Sequence, residues 1–439
     1  MGELKEKSKV TSASSGTEYI VNDLLGAGGQ GEVYSVTSNG KSWALKWYFP
    51  HTGTKEQRMA IEKLIAIGPP NDKFLWPIEI VTAPKTSSFG YIMALREKNY
   101  KSIVDLMKGR INPSFFNLIS AAIALVDSYK QLHAKGLCYR DISFGNLFFN
   151  PDNGGVLICD NDNVSIDKSK DGVKGVLGTP RFMAPEIVRG EADPSTETDR
   201  YSLSVLLFYM FMVHHPLEGR IEANIKCLDR PAMNKIYGTH PIFIFDPKND
   251  KNRPHPEYQK NATIYWEIYP QFFKNLFLKA FTKGLGDPSN ARVVESEWMS
   301  ALVHLRDSIV YCGNCGSENF YDPEVVKNSG GIPSKCWNCN KDIRLPPRIR
   351  IDRTIVMLNF NTKLFSHHID GDYKFDKVIA EVRKHPKDPT LWGLINLSDK
   401  KWVITKNDGK MIDVEPGKNA MISSGLKINF GSVEGEIKI

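Results

Sequence analysis

Tyr139-Arg140-Asp141-Ile142-Ser143-Phe144-Gly145-Asn146 is followed, nineteen positions after Asp141, by Asp160. The stretch sets a carboxylate and an amide in one polar turn. A second carboxylate stands at the end of the apolar run Val156-Leu157-Ile158-Cys159, which reads as a buried strand. Hard divalent cations take oxygen ligands, which Asn146 and Asp160 supply, and Asp141 is a carboxylate able to accept a proton from an incoming hydroxyl. An ordinary strand ending in a polar turn carries much of the same pattern, so the neighbouring segments decide the reading.

Upstream, Leu24-Leu25-Gly26-Ala27-Gly28-Gly29-Gln30-Gly31-Glu32-Val33-Tyr34 precedes Ser42-Trp43-Ala44-Leu45-Lys46 at the separation of adjacent strands. Gly26, Gly28 and Gly31 let a hairpin backbone approach phosphates where a side chain would collide. Downstream stand Gly178-Thr179-Pro180-Arg181-Phe182-Met183-Ala184-Pro185-Glu186, then Asp199-Arg200-Tyr201-Ser202, then Arg292. In this order, residues 18–307 resemble a eukaryotic-like Ser/Thr protein kinase, which implies a bilobal α+β fold, ATP and Mg2+ as cofactors and protein substrates.

The resemblance assigns roles residue by residue. Asp141 is the base, Lys46 holds the α and β phosphates, and Asn146 and Asp160 bind Mg2+. Glu62, in the helical segment Lys55 to Ile67, is the partner of Lys46, with Glu56 as the fallback. Val33 and Ala44 cover the adenine, Phe148 forms its floor, Met93 is the gatekeeper, and the backbones of Ala94 and Arg96 face the base. Glu186 pairs with Arg292, and Thr179 bonds to Asp141. Arg140 suggests a cationic pocket for a phosphate on the activation segment, where Ser165 and Ser169 are available.

Several positions depart from the family pattern. Ser143 stands where Ser/Thr kinases usually carry a lysine near the transferred phosphate, and Asp160-Asn161-Asp162 replaces Asp-Phe-Gly. Asp162 is a second choice as metal ligand, and Tyr139 replaces a packing histidine. Loss of one preorganised donor can cost on the order of 3 kcal/mol. The competing reading is therefore a pseudokinase or slow kinase acting as a nucleotide-gated binding scaffold.

Composition fits two or three folded domains: 439 residues, 41% apolar and 24% charged. The net charge of +7 is modest and no block of like charge occurs, which argues against nucleic acid or a membrane surface as partner. The longest apolar run, Leu203 to Val213, is too short to span a bilayer and reads as a buried helix. The first residues lack an apolar signal region, and Glu6 breaks the myristoylation pattern that Gly2 suggests. The expected location is cytoplasmic.

Cys312-Gly313-Asn314-Cys315 and Cys336-Trp337-Asn338-Cys339 are separated by twenty residues, the spacing of a zinc ribbon. Two such knuckles give a closed tetrahedral site, so Zn2+ is expected as a structural cofactor; Cys138, Cys159 and Cys227 are expected as reduced core residues. After Pro346-Pro347, short alternating runs broken by glycine and asparagine predict a β-sandwich. Its segments Leu364-Phe365-Ser366-His367-His368 and Gly425 to Gly431 resemble a forkhead-associated domain. The domain plan is a flexible N-terminus at 1–17, the kinase domain at 18–307, the ribbon at 308–345 and the sandwich at 346–439. Gly238 to Pro247, in an insertion expected to dock a partner, is similar, together with Phe74 to Val81 and the ribbon, to bacterial stress-associated kinases. That second resemblance implies a von Willebrand A-domain protein and a metal-dependent phosphatase as partners.

Overall fold

The computed structural model describes residues 3–84, 86–167, 177–372 and 374–439. The chain forms two compact units, Met1–Tyr265 with Asn275–Met299, and Trp266–Lys274 with Ser300–Ile439. The division falls earlier than the boundary expected at 307, because helix Glu295–Asp307 contributes to both units.

In the first unit, strands β1 (Lys9–Ser12), β2 (Glu18–Ala27), β3 (Gly31–Ser38), β4 (Lys41–Tyr48), β5 (Glu79–Thr82) and β6 (Phe89–Met93) close into a barrel in the order β1-β2-β3-β4-β6-β5. Alternation puts Val10, Val21, Tyr34, Val36, Leu45, Trp47, Val81 and Ile92 into one core, as period-two side chains must when one face is covered. The first seventeen residues, expected to be flexible, include β1: Val10 is fully buried, and pairing with both β2 and β5 satisfies the strand on each edge.

Helix α1 (Lys55–Ile67) starts at Thr54, whose side chain accepts the Gln57 N–H, and stops at Gly68 in the left-handed region with φ 72°. The Trp76 indole donates to Leu64 O at 2.9 Å, fixing the helix end.

The helical lobe is built on Phe115–Ala134 and Thr196–Met212. The second is apolar around most of its circumference and buried almost throughout, as the run from Leu203 predicts. Strands Leu147–Phe149 and Val156–Ile158 pair antiparallel, so Asn146 and Asp160 both lie just beyond the same end of one hairpin. Phe243 and Ile244, expected in a partner-docking loop, are instead buried, with Phe243 against Phe208 and Phe281 at ring separations of 5.8 and 5.3 Å. Their apolar area is spent on the protein's own core.

In the second unit, strand Ile309–Tyr311 pairs with Glu318–Phe320, and Val310, Tyr321, Ile343 and Met357 pack around Cys312 and Cys336. Beyond it lie a six-stranded and a four-stranded antiparallel sheet, their core formed by Ile349, Leu364, Leu394, Trp402, Ile428 and Ile437 among others. Ser366 and His368 point inward. The Ser366 hydroxyl lies 2.8 Å from Asp372, its nearer acceptor, and 3.1 Å from Asp370, and the His368 ring meets Asp307 at 3.0 Å.

Candidate active site

The turn around Asp141 is held from below. Asp199, buried on Thr196–Met212, accepts the backbone N–H of Tyr139 and that of Arg140 at 2.9 Å, while Arg140 itself is left-handed at φ 75°. Those two bonds help fix a backbone conformation that a non-glycine residue seldom adopts. Above the turn, Asp141 Oδ1 accepts from the Thr179 hydroxyl at 2.8 Å. Asn146 Nδ2 donates to Asp141 O at 2.9 Å and Oδ2 at 3.2 Å, leaving the amide oxygen available as a ligand. Ser143 is buried in this turn.

His133 links this support to the lobe's last helix, its ring nitrogens lying 3.2 Å from Asp199 and 2.7 Å from Glu295. Burial pulls the imidazole down, yet the two carboxylates prevail and raise it to about 9, while His133 in turn overcomes burial and draws Glu295 down to about 2. The raised group stabilises fully below its unfolded value of 6.5, and that contribution is lost as pH rises through 9. The depressed group stabilises above 4.5 and is lost as pH falls towards 2. Thermal melts of wild type and His133→Gln should therefore converge between pH 6.5 and about 9. An unchanged gap across that window would contradict the charged pairing.

Among the glycines of this loop, Gly31 carries the strictest demand, since a Cβ there would sit 2.1 Å from Trp47 O. The Gly28 N–H closes the loop onto Gly31 O at 2.9 Å. Lys46, on β4, is 6% exposed, and its amine donates to Gln30 Oε1 at 3.3 Å from the tip of this loop. It lies 3.5 Å from Asp160 and 2.8 Å from Asp162. Burial raises the Asp160 carboxyl despite the opposing pull of Lys46. Asp160 is left-handed at φ 49° and leads into a 3-10 turn, Asn161–Asn163.

Glu62 is not brought to Lys46. It is 53% exposed and pairs with Arg58 at 3.1 Å on the outer side of α1, where Glu56 is exposed too. Gln57, Ile61 and Leu64 form the buried face, so Glu62 lies out of phase with it. Tyr48 and Gln57 join the site without having been expected there: the Tyr48 hydroxyl donates to Asp162 and accepts from Gln57 Nε2 at 3.1 Å. The spacing of Gln57, Ile61 and Leu64 was the available signal.

Around the expected adenine position, Ala44 pairs with Met93 across β4 and β6, and Val33 pairs with Lys46 across β3 and β4. Ala94 is exposed, and the Arg96 guanidinium lies 4.0 Å over the Phe148 ring, joining the segment after β6 to the expected floor. Glu186 and Arg292 form the expected pair at 2.7 Å. Ser165 lies in the short strand Ser165–Ile166, and Ser169 falls outside the described residues.

The four ribbon cysteines converge within 4.8 Å of one another. Cys312 and Cys339 sulfurs are 3.6 Å apart, and those of Cys315 and Cys336 3.7 Å. Four sulfurs around one tetrahedral ion at about 2.3 Å stand about 3.8 Å apart, against about 2.05 Å in a disulfide. Hydrogen bonding from Ser317 draws the Cys315 thiol down to about 6, towards the thiolate a metal needs. The donor set fits Zn2+. Cys138 is buried and Cys159 partly so, but Cys227 is exposed, against the expectation of a core residue.

The protein kinase domain family matches residues 19–265, more than half of the chain, and the chain belongs to that family. It is 29% identical over 216 residues to "Probable serine/threonine-protein kinase CCRP1" of Zea mays, covering 46% of this chain and 32% of that protein. To CBL-interacting protein kinase 4 of Oryza sativa subsp. japonica it is 26% identical, covering 38% of each chain. To protein kinase gsk3 of Schizosaccharomyces pombe it is 28% identical, covering 30% of this chain and 35% of that one. The chain thus spans roughly a third of the length of these relatives.

Proposed function

We propose that this protein is an ATP- and Mg2+-dependent Ser/Thr protein kinase. The observation carrying this reading is the convergence of Lys46 and Asp160 at 3.5 Å, together with Asp141 held by both Thr179 and Asn146. Lys46 binds the α and β phosphates, and the glycine loop closes over them. Asn146 and Asp160 would hold Mg2+, which would supply positive charge against the phosphates. Asp141 Oδ2 accepts the proton of a serine or threonine hydroxyl as its oxygen attacks the γ-phosphorus, and ADP departs. Thr179 on Oδ1 orients the carboxylate for that step.

The four cysteines serve as a structural Zn2+ site, supported by their sulfur spacing. The two-sheet sandwich recruits substrates or regulators, supported by its separate core and the forkhead-associated resemblance. The resemblance to bacterial stress-associated kinases supports a von Willebrand A-domain protein and a metal-dependent phosphatase as further partners. Among the described residues no helix is long and apolar enough to cross a membrane, and a cytoplasmic location accords with the reduced cysteines.

Incubation with γ-labelled ATP, Mg2+ and a mixture of hydroxyl-bearing proteins tests the reading. Acid-stable label on serine or threonine, absent with Lys46→Met, is expected. Wild-type labelling no higher than that of the variant would instead support the nucleotide-gated scaffold, which the buried Ser143 in place of a lysine favours.

A further inference from the structure

Lys46 makes its closest contacts with Asp162, whose two oxygens lie 2.8 and 2.9 Å from the amine. The Asp162 side chain is wholly buried, and the hydroxyls of Tyr48 and Tyr91 also donate to it, the latter at 3.3 Å. A buried carboxylate facing one cation and two hydroxyl donors has its lone pairs occupied and little freedom to rotate. The left-handed Asp160 and the 3-10 turn after it aim the two carboxylates differently: Asp160 keeps 43% of its side chain exposed, while Asp162 turns inward.

Among the described residues, the hydrogen bond from helix α1 to this cluster comes from a neutral group, the Gln57 amide that donates to Tyr48. At about 100° per residue, Glu62 lies about 140° around the helix from Gln57, so no small adjustment brings it to the lysine. We propose that Asp162, rather than a carboxylate of α1, is the positioning residue that holds Lys46 in place for the nucleotide phosphates. The inference rests on the kinase reading and deepens it. The lysine is aligned from the segment that also carries Asp160, so its ion pair does not depend on α1 rotating inward. Tyr48 and Gln57 pass the position of that segment to the helix.

The test uses the full chain as wild type, Asp162→Asn, Asp162→Glu, Asp160→Asn and Glu62→Gln. An acyl-phosphate derivative of ATP reports Lys46 position through its rate of acylating the amine, and transfer kinetics are read beside it. A displaced lysine should slow acylation and turnover by about tenfold to a hundredfold in Asp162→Asn, with partial rescue in Asp162→Glu. Glu62→Gln should stay within about twofold of wild type, the scale of an exposed helix pair. The Mg2+ concentration giving half-maximal turnover should rise in Asp160→Asn and stay unchanged in Asp162→Asn.

Wild-type acylation rates in Asp162→Asn, or a tenfold loss in Glu62→Gln, would overturn the proposal; the second result does so even if Asp162→Asn fails to fold. A raised Mg2+ requirement in Asp162→Asn would overturn it too, making Asp162 a metal ligand. Failure of the kinase reading looks different: wild type then acylates at Lys46 without transferring phosphate, or does neither.

Discussion

Asp141→Asn should lower turnover by about a hundredfold to ten-thousandfold, the range that a positioned general base supplies, with little change in the affinity for ATP. Asparagine keeps the volume and can still accept the Thr179 hydroxyl through its oxygen, but it cannot take the proton. The fold should survive, because the turn is anchored by Asp199 on the Tyr139 and Arg140 amides and not by the Asp141 side chain alone. Initial rates at saturating nucleotide, with a thermal melt of each protein, check this. Equal rates would remove Asp141 as the base, whereas a loss confined to ATP affinity would give it a binding role.

The second large effect concerns the ribbon. Purified protein should contain one Zn2+ per chain, and Cys336→Ser should both lose the metal and disorder the segment around it. Its core is small, comprising Val310, Tyr321, Ile343 and Met357 around the two buried cysteines, too little apolar area to order the two knuckles alone. Structural zinc sites contribute about 10 kcal/mol or more at neutral pH. Even partial loss of that contribution should move the melting temperature of the surrounding unit by about 10 °C or more. Elemental analysis and differential scanning calorimetry measure both quantities. A metal-free preparation with an unchanged melt would show that the cysteines pack without an ion.

The residues legible in the sequence were those whose chemistry demands a residue type at a fixed spacing. Asn146 and Asp160 flank one hairpin, Lys46 lies on a buried strand, Gly31 backs onto Trp47, and the cysteines repeat a knuckle. Helix phase was less legible. In α1 the apolar Met59 is 49% exposed, and the buried face runs through Gln57, Ile61 and Leu64. A polar residue inside that stripe escapes a hydrophobicity pattern, although here it marks the group that meets Tyr48.

Asp162 escaped for a related reason: an aspartate two positions from a metal-ligand candidate reads as a second ligand, and only the 3-10 turn reveals that it faces Lys46. The strand at Lys9–Ser12 was obscured by its polar neighbours, since Val10 is its single apolar residue and backbone pairing on both sides holds the rest. The burial of Phe243 left no local trace in the sequence because its partners, Phe208 and Phe281, lie far away in the chain.

On the kinase reading, Lys46, Asp141, Asn146 and Asp160 surround the terminal phosphates of one bound nucleotide. A crystal structure with a non-hydrolysable ATP analogue and Mg2+ tests it most directly. Mg2+ should then lie about 2.1 Å from both the Asn146 amide oxygen and an Asp160 oxygen, with Lys46 on the α and β phosphates and Asp141 facing the γ-phosphate. A nucleotide bound away from Lys46, or a metal that leaves Asp160 and Asn146 without contact, would contradict it.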